Sequence, residues 1–252
     1  MNALASIGQL PGLDWGLVLT YLRIQALVIM LPGYGERILP LRVRVAIAIA
    51  LTPLMAGLVP PLTLPDTPFA LIQGAVPELA LGLIMGTLVR VIAWALDIAA
   101  SALAASASLS QIVGGANEAA PHPIGNFLHL AGLAVVFALG FPMFLIDLIV
   151  DGIALWPVGA LPSAADWMGD LVALLARSFV LAMVLASPFI LGGFLFQALS
   201  GVINKVMPSL PVVFIGAPGS ILLALAALAV LTPLMISLWA DAILSFTLPR
   251  PR

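Results

Sequence analysis

Long apolar runs, broken by short polar or Pro/Gly-rich stretches, set the pattern of this chain. Between Lys205 and Asp241 lie 35 consecutive residues without a formal charge. Runs of this length read as membrane-type helices, since about 20 apolar residues cross a bilayer core. Six such segments can be marked off: Trp15–Leu31, Val43–Val59, Phe69–Leu96, Ile124–Val150, Leu171–Ile203 and Phe214–Phe246. The third and fifth are too long for one simple crossing. All five tryptophans (Trp15, Trp94, Trp156, Trp167, Trp239) fall at or near segment ends, where amphipathic rings sit at a membrane interface. The expected fold class is therefore all-α and of the integral membrane type. Pro53, Pro77, Pro142, Pro188 and Pro233 lie within apolar runs, so kinks are expected.

Composition agrees with that placement. Hydrophobic residues make up 63% of the chain and charged residues 8%, against about 25% charged in a soluble domain. The N-terminus lacks the basic region and short apolar core of a secretory signal, so the first apolar segment is expected to be retained and the chain to be mature as written. Arg37, Arg42 and Arg44 favour a cytoplasmic first loop. Alternating from there puts Lys205 inside but Arg250 and Arg252 outside, against the positive-inside rule. A formal charge of -2 with scattered basic residues excludes a nucleic-acid surface. The absence of cysteine excludes disulfides, thiolate metal sites and a cysteine nucleophile.

The few polar groups inside apolar segments need partners or water: Arg23, Arg90, Asp97 and Arg177. Arg90 and Asp97 share a helix face but stand about 10 Å apart along the axis, so each should meet another segment. They read as interface or helix-end charges, with a charge pair gating a conduit as the sharper alternative and a proton relay as a further one. Gly82 and Gly86 have the small-xxx-small spacing that lets helix backbones approach closely. Their helix continues into the small residues of Ala99 to Ser108. The polar stretch Gln111 to Pro123 is either a solvent loop or a re-entrant, plug-like one, since irregular backbone at membrane depth must be buried in protein or line water. His122 and His129 cannot share a metal unaided, being about 10 Å apart on a helix, and read as interfacial hydrogen-bonding groups. Asp147 and Asp151 read as a solvated helix end. No nucleophile elbow, phosphate loop, zinc motif or dinucleotide fingerprint appears, so no enzyme and no cofactor is expected.

From end to end the chain resembles a family, the FliR proteins of the flagellar export gate and their SctT-like counterparts in virulence type III secretion. Arg23, Pro32 and Leu39-Pro40-Leu41-Arg42-Val43-Arg44 are similar to the family's "R…P…vPxRxR" opening. Glu78, Gly82, Gly86 and Arg90 resemble its "ExxxGxxxGxxxR" segment. Gly201, Asn204, Lys205 and Pro208, continuing to Phe214, Gly216 and Pro218, look like "GxxNRxxPQxNVFxxGxPxK". Within that last motif Ser209-Leu210-Pro211 replaces Gln-x-Asn and Gly219-Ser220 replaces Leu-Lys.

The resemblance implies a single FliR-like helical domain over 1–252, folded as kinked helical hairpins that pack into a larger assembly. That assembly is a closed spiral with FliP-like and FliQ-like proteins, crossed by unfolded export substrates, with an FlhB-like protein as the neighbour that helps open it. It implies a place in membrane lipid of the bacterial inner membrane, at the flagellar basal body. It also implies a pore plug between about Ser106 and His122, formed by Ser108, Gln111, Gly114, Gly115, Asn117 and Glu118. Burial in such an assembly suits helices apolar on all sides as well as lipid does, so six crossings is a provisional number. The competing class is a small autonomous permease with a site at broken helices near Gly114 and Gly216. An intramembrane enzyme ranks last.

Overall fold

The computed structural model describes residues 14–106, 123–159, 164–207 and 212–249. Among these residues the chain is helical and forms no strand. The helices are α1 (Trp15–Met30), α2 (Leu41–Leu51) with a 3₁₀ helix (Pro53–Leu58) behind it, α3 (Pro68–Ser106), α4 (Pro123–Ala138), α5 (Phe141–Leu155), α6 (Ala164–Val206) and α7 (Val212–Leu244). All six apolar segments are therefore helical, but six crossings is too many. Among the described residues four stretches are long and apolar enough to cross a membrane, or five if the broken pair α4 and α5 is one span. α1 falls short: its 16 residues reach about 24 Å, less than the roughly 30 Å of a bilayer core. Its Leu19, Ile24 and Leu27 are buried in protein instead.

The chain divides into two compact units. The first comprises Met1–Val91, Gly140–Leu174 and Ser245–Arg252. α1 starts where it does because Asp14 caps it, its Oδ1 accepting the Gly16 N–H at 3.1 Å. The same oxygen accepts the Leu62 N–H at 2.9 Å, which pins the extended chain after the 3₁₀ helix beside the start of α1. A Cβ at Gly16 would come 2.9 Å from Val59 Cγ1 and 3.0 Å from the Pro60 carbonyl oxygen, so the approach needs glycine. Tyr34 stacks on Phe141, and Phe141 on Phe144, with ring centroids 5.8 and 5.5 Å apart. Burial pushes the Tyr34 phenol above its ordinary range.

The second unit comprises Ile92–Leu139 and Leu175–Leu244. Its anchor is Trp239 on α7, fully buried, whose Nε1 donates to the Ala93 carbonyl oxygen at 3.1 Å. Gly132 on α4 leaves room for it: a Cβ there would stand 3.0 Å from Trp239 Cζ3 and 2.8 Å from Leu96 Cδ2. α6 and α7 otherwise present wide apolar faces, with Phe194 and Val230 among the most exposed.

Trp239 and Trp156 are core residues, not interfacial rings, and Trp94 stands exposed in mid-helix rather than at an end. Indole has enough apolar area that its best site is a packed one whenever its N–H finds an acceptor. Pro142 does not kink a helix either. It sits in the first turn of α5, where its missing donor costs nothing, and the expected Ile124–Val150 segment is broken instead at Gly140, at φ 110. Pro53 likewise opens the 3₁₀ helix, while α3 and α6 run on through Pro77 and Pro188.

Replacing Trp239 by Phe should cost about 1 kcal/mol for the lost hydrogen bond. Replacing it by Ala should cost about 3–5 kcal/mol for the cavity. Thermal unfolding of the purified chain in detergent reads both, and equal shifts for the two variants would contradict this core.

Candidate functional site

Glu78, Gly82, Gly86 and Arg90 recur every four residues on α3. Each step turns the position by about 40°, so the four make a slowly winding stripe three turns long, and α1 lies against it. A Cβ at Gly82 would collide with the Arg23 carbonyl oxygen and come 2.8 Å from Ala26 Cβ. One at Gly86 would come 2.6 Å from Met30 Cβ and 2.8 Å from the Leu27 carbonyl oxygen. The two helices thus meet backbone to backbone, as the small-xxx-small spacing requires.

At one end of the stripe is a buried ion pair. Arg23 Nε donates to Glu78 Oε2 at 2.6 Å, with the side chains 1% and 0% exposed. Arg23 Nη1 also donates to the carbonyl oxygens of Gly152 at 3.2 Å and Trp156 at 2.8 Å. Both carbonyls lie at the C-terminus of α5, the negative end of the helix dipole; that of Gly152 also accepts the Trp156 N–H at 3.1 Å, while that of Trp156 lies past the last helical turn. The other Glu78 oxygen, Oε1, accepts the N–H of Gly159 at 2.7 Å, in the turn after α5. Gly159 itself has φ 89, a conformation open to glycine. One guanidinium and one carboxylate therefore clip together α1, α3 and the end of α5. A planar fork serves several acceptors at once, where an ammonium would act as a point charge.

Arg90, at the far end of the stripe, does for α1 what Arg23 does for α5. Its Nε donates to the carbonyl oxygen of Met30, the last residue of α1, at 2.6 Å, and its Nη2 stands 3.4 Å from Glu36 Oε1. Glu36 is held from the other side too, since Arg44 Nη2 donates to its backbone oxygen. Pro40 forms the N-cap position of α2, and Arg42 is exposed. Arg90 and Asp97 do not pair: Asp97 Oδ1 lies 2.8 Å from His129 Nδ1, a contact between α3 and α4 inside the second unit. Asp147 and Asp151 are exposed on α5.

The remaining motif residues are placed differently. Gly201, Asn204 and Lys205 are exposed near the end of α6. The break that follows is shorter than the sequence suggested, because α7 begins at Val212 and continues through Phe214, Gly216 and Pro218. Pro208, His122 and the six plug residues Ser108, Gln111, Gly114, Gly115, Asn117 and Glu118 lie outside the described residues. Among the described residues no group of three or more His, Cys, Asp or Glu could hold a metal. A small groove between α6 and α7 is lined by apolar and glycine residues such as Pro188, Phe189, Gly192 and Ala224, so its lining offers no catalytic group. Sequence reasoning missed Asp14 and the backbone acceptors of Gly152 and Trp156. Main-chain atoms leave no signature in a sequence.

Residues 15–246 match the family described as bacterial export proteins, family 1. The chain belongs to this family, the FliR family. It is similar to the flagellar biosynthetic protein FliR of Caulobacter vibrioides, 28% identical over 247 residues and 96% of each chain. The proteins of that name from Escherichia coli and Pectobacterium carotovorum are 24% and 23% identical, each over 85% of this chain and 83% of their own. Within this FliR-family chain, Arg23 and Arg44 of the opening motif and the α3 motif supply two polar clusters at the ends of the glycine stripe, whereas Gly201, Asn204 and Lys205 of the third motif are exposed.

Glu78→Gln leaves the Arg23 charge buried without its counter-charge and should cost about 3–5 kcal/mol, read as a lowered unfolding temperature in detergent. Glycines separate the motifs further. Gly82→Ala forces α1 from α3 and should destabilise, whereas nothing lies within 4 Å of a Cβ at Gly201, and Gly201→Ala should stabilise by roughly 0.5–1 kcal/mol. Equal shifts for the two alanines would contradict the close approach.

Proposed function

We propose that this protein is a component of the flagellar type III protein export gate, in the bacterial inner membrane at the flagellar basal body. The observation that carries the reading is the family match across residues 15–246 together with a FliR relative aligned over 96% of both chains. In this reading the chain forms one sector of a pore wall with FliP-like and FliQ-like proteins, beside an FlhB-like protein, and unfolded export substrates pass through. It binds no cofactor and catalyses nothing.

The wide apolar faces of α6 and α7 support assembly. Only about a fifth of each long apolar window there is buried, 22% in α6 and 17% in α7, against 61% in α3. Such surface must meet lipid or protein. The exposed Gly201, Asn204 and Lys205 are assigned to contacts with those partners, while Arg23, Glu78, Gly82, Gly86 and Arg90 hold the chain in the shape that presents them. Pro40, Arg42 and Arg44 shape the loop after α1. The stretch from Ser108 to Glu118, polar and glycine-bearing between two apolar helices, is assigned as the plug that blocks the passage until the machine opens.

Deleting Ser108 to Ala119 should raise the leak of small solutes across the membrane while the assembly still forms. An unchanged leak with intact assembly removes the plug. The assembly itself is tested by tagging the chain, extracting it gently from native membranes and identifying what co-purifies at fixed proportion. FliP-like and FliQ-like proteins in one large particle are expected. A chain recovered alone, with those proteins present in the same extract, would favour an autonomous permease.

A further inference from the structure

Arg177 is the one formal charge on the chain between Asp170 and Lys205. It is exposed on α6, and it makes no hydrogen bond or ion pair among the described residues. Asp170 is seven residues back, about 10 Å along the axis, too far to pair directly. Around Arg177 the surface is apolar: Phe179, Val180 and Val184 are 63%, 60% and 52% exposed. A guanidinium on such a face needs an anion or water within reach of its stem.

The spacing along α6 says which. The apolar stretch Gly169–Val206 has 38 residues, about 57 Å of helix and nearly twice a bilayer core, so hydropathy alone does not locate the membrane boundary. Polar side chains do. Beyond Arg177, Ser178 is buried and Ser187 turns its hydroxyl back to the Val184 carbonyl oxygen at 2.9 Å. The next exposed polar side chain is Gln197. Arg177 to Gln197 is about 30 Å along the axis, one hydrocarbon thickness.

We propose that Arg177 holds the phosphate of a phospholipid at one face of the bilayer. Its planar fork suits a phosphate's oxygens in a bidentate pair. The lipid's acyl chain lies on Val180, Val184 and Pro188, which share the face of Arg177 at steps of three and four residues and are all exposed. Arg177 to Pro188 is about 16 Å, half the core and the reach of one leaflet. The part of α6 before Arg177 then stands outside the hydrocarbon. This site does not depend on the export-gate reading; it needs only that α6 crosses the membrane.

The test is native mass spectrometry of the full-length protein, stripped of lipid and titrated with either phosphatidylglycerol or the matching diacylglycerol, which has the same chains and no phosphate. Phosphatidylglycerol should be retained at roughly tenfold lower concentration. Arg177→Lys should keep that preference and Arg177→Gln abolish it. Equal retention of the two lipids, or a preference untouched in Arg177→Gln, overturns the proposal. So does a purified assembly in which Arg177→Gln sheds a protein subunit and no lipid, since a partner's carboxylate would then be the anion. The boundary is read separately, because the chain has no cysteine. In native membranes opened to both faces, Val172→Cys should react with a membrane-impermeant maleimide and Val184→Cys should not; labelling at Val184 overturns the placement.

Discussion

A guanidinium buried to 1% exposure is the constraint on which the first unit depends. Removing a charge from water costs several kcal/mol, and mutual attraction recovers this only when the geometry is good and the remaining hydrogen-bonding groups are occupied. Arg23 offsets most of that cost by taking a carboxylate through Nε and the end of a helix through Nη1, while its Nη2 is buried without a hydrogen-bond partner. The consequence is register. α1 cannot slide along α3 without separating Arg23 from Glu78, nor can α5 move without stranding the Trp156 carbonyl. The glycine stripe adds the steric half of the same lock, because Gly82 and Gly86 admit the α1 backbone only where it now lies. Arg90 closes the far end on Met30. Both arginines of the network cap helix C-termini, where a cation is favoured by the dipole.

The second unit is organised differently. Trp239 and Gly132 make a small apolar core, and most of the surface of α6 and α7 is left uncovered. A unit held by buried polar contacts and another with unspent apolar surface suit a subunit of a larger membrane assembly: one part sets shape and the other presents area. The Asp97–His129 contact lies within that second unit, on the two helices that flank residues 107–122. Those helices are the mounts of the proposed plug.

Much of this was legible in the sequence, for physical reasons that also mark its limits. Apolar runs identify helices because length and hydropathy are local properties, and the ExxxGxxxGxxxR spacing identifies a packed helix face because a four-residue step is nearly one turn. The demand for partners at Arg23 and Arg90 was legible too, since an apolar segment cannot hold a bare charge. The partners were not. Gly152, Trp156 and Met30 contribute carbonyl oxygens, and every residue has one. The tryptophans and Pro142 were misread because hydropathy cannot tell an interface from a core, nor a helix interior from its first turn. Crossing number was overcounted at α1, where apolar character serves protein burial.

The most direct test of the central claim is a double-mutant cycle on Arg23 and Glu78, using Arg23→Met, Glu78→Leu and the pair, with unfolding free energies measured in one detergent. The account predicts that each single variant is strongly destabilised and that the double variant is less so than their sum, by about 2–3 kcal/mol. Additivity to within about 0.5 kcal/mol would mean that the two side chains do not depend on each other, and the clip would not be what holds α1, α3 and α5 in register.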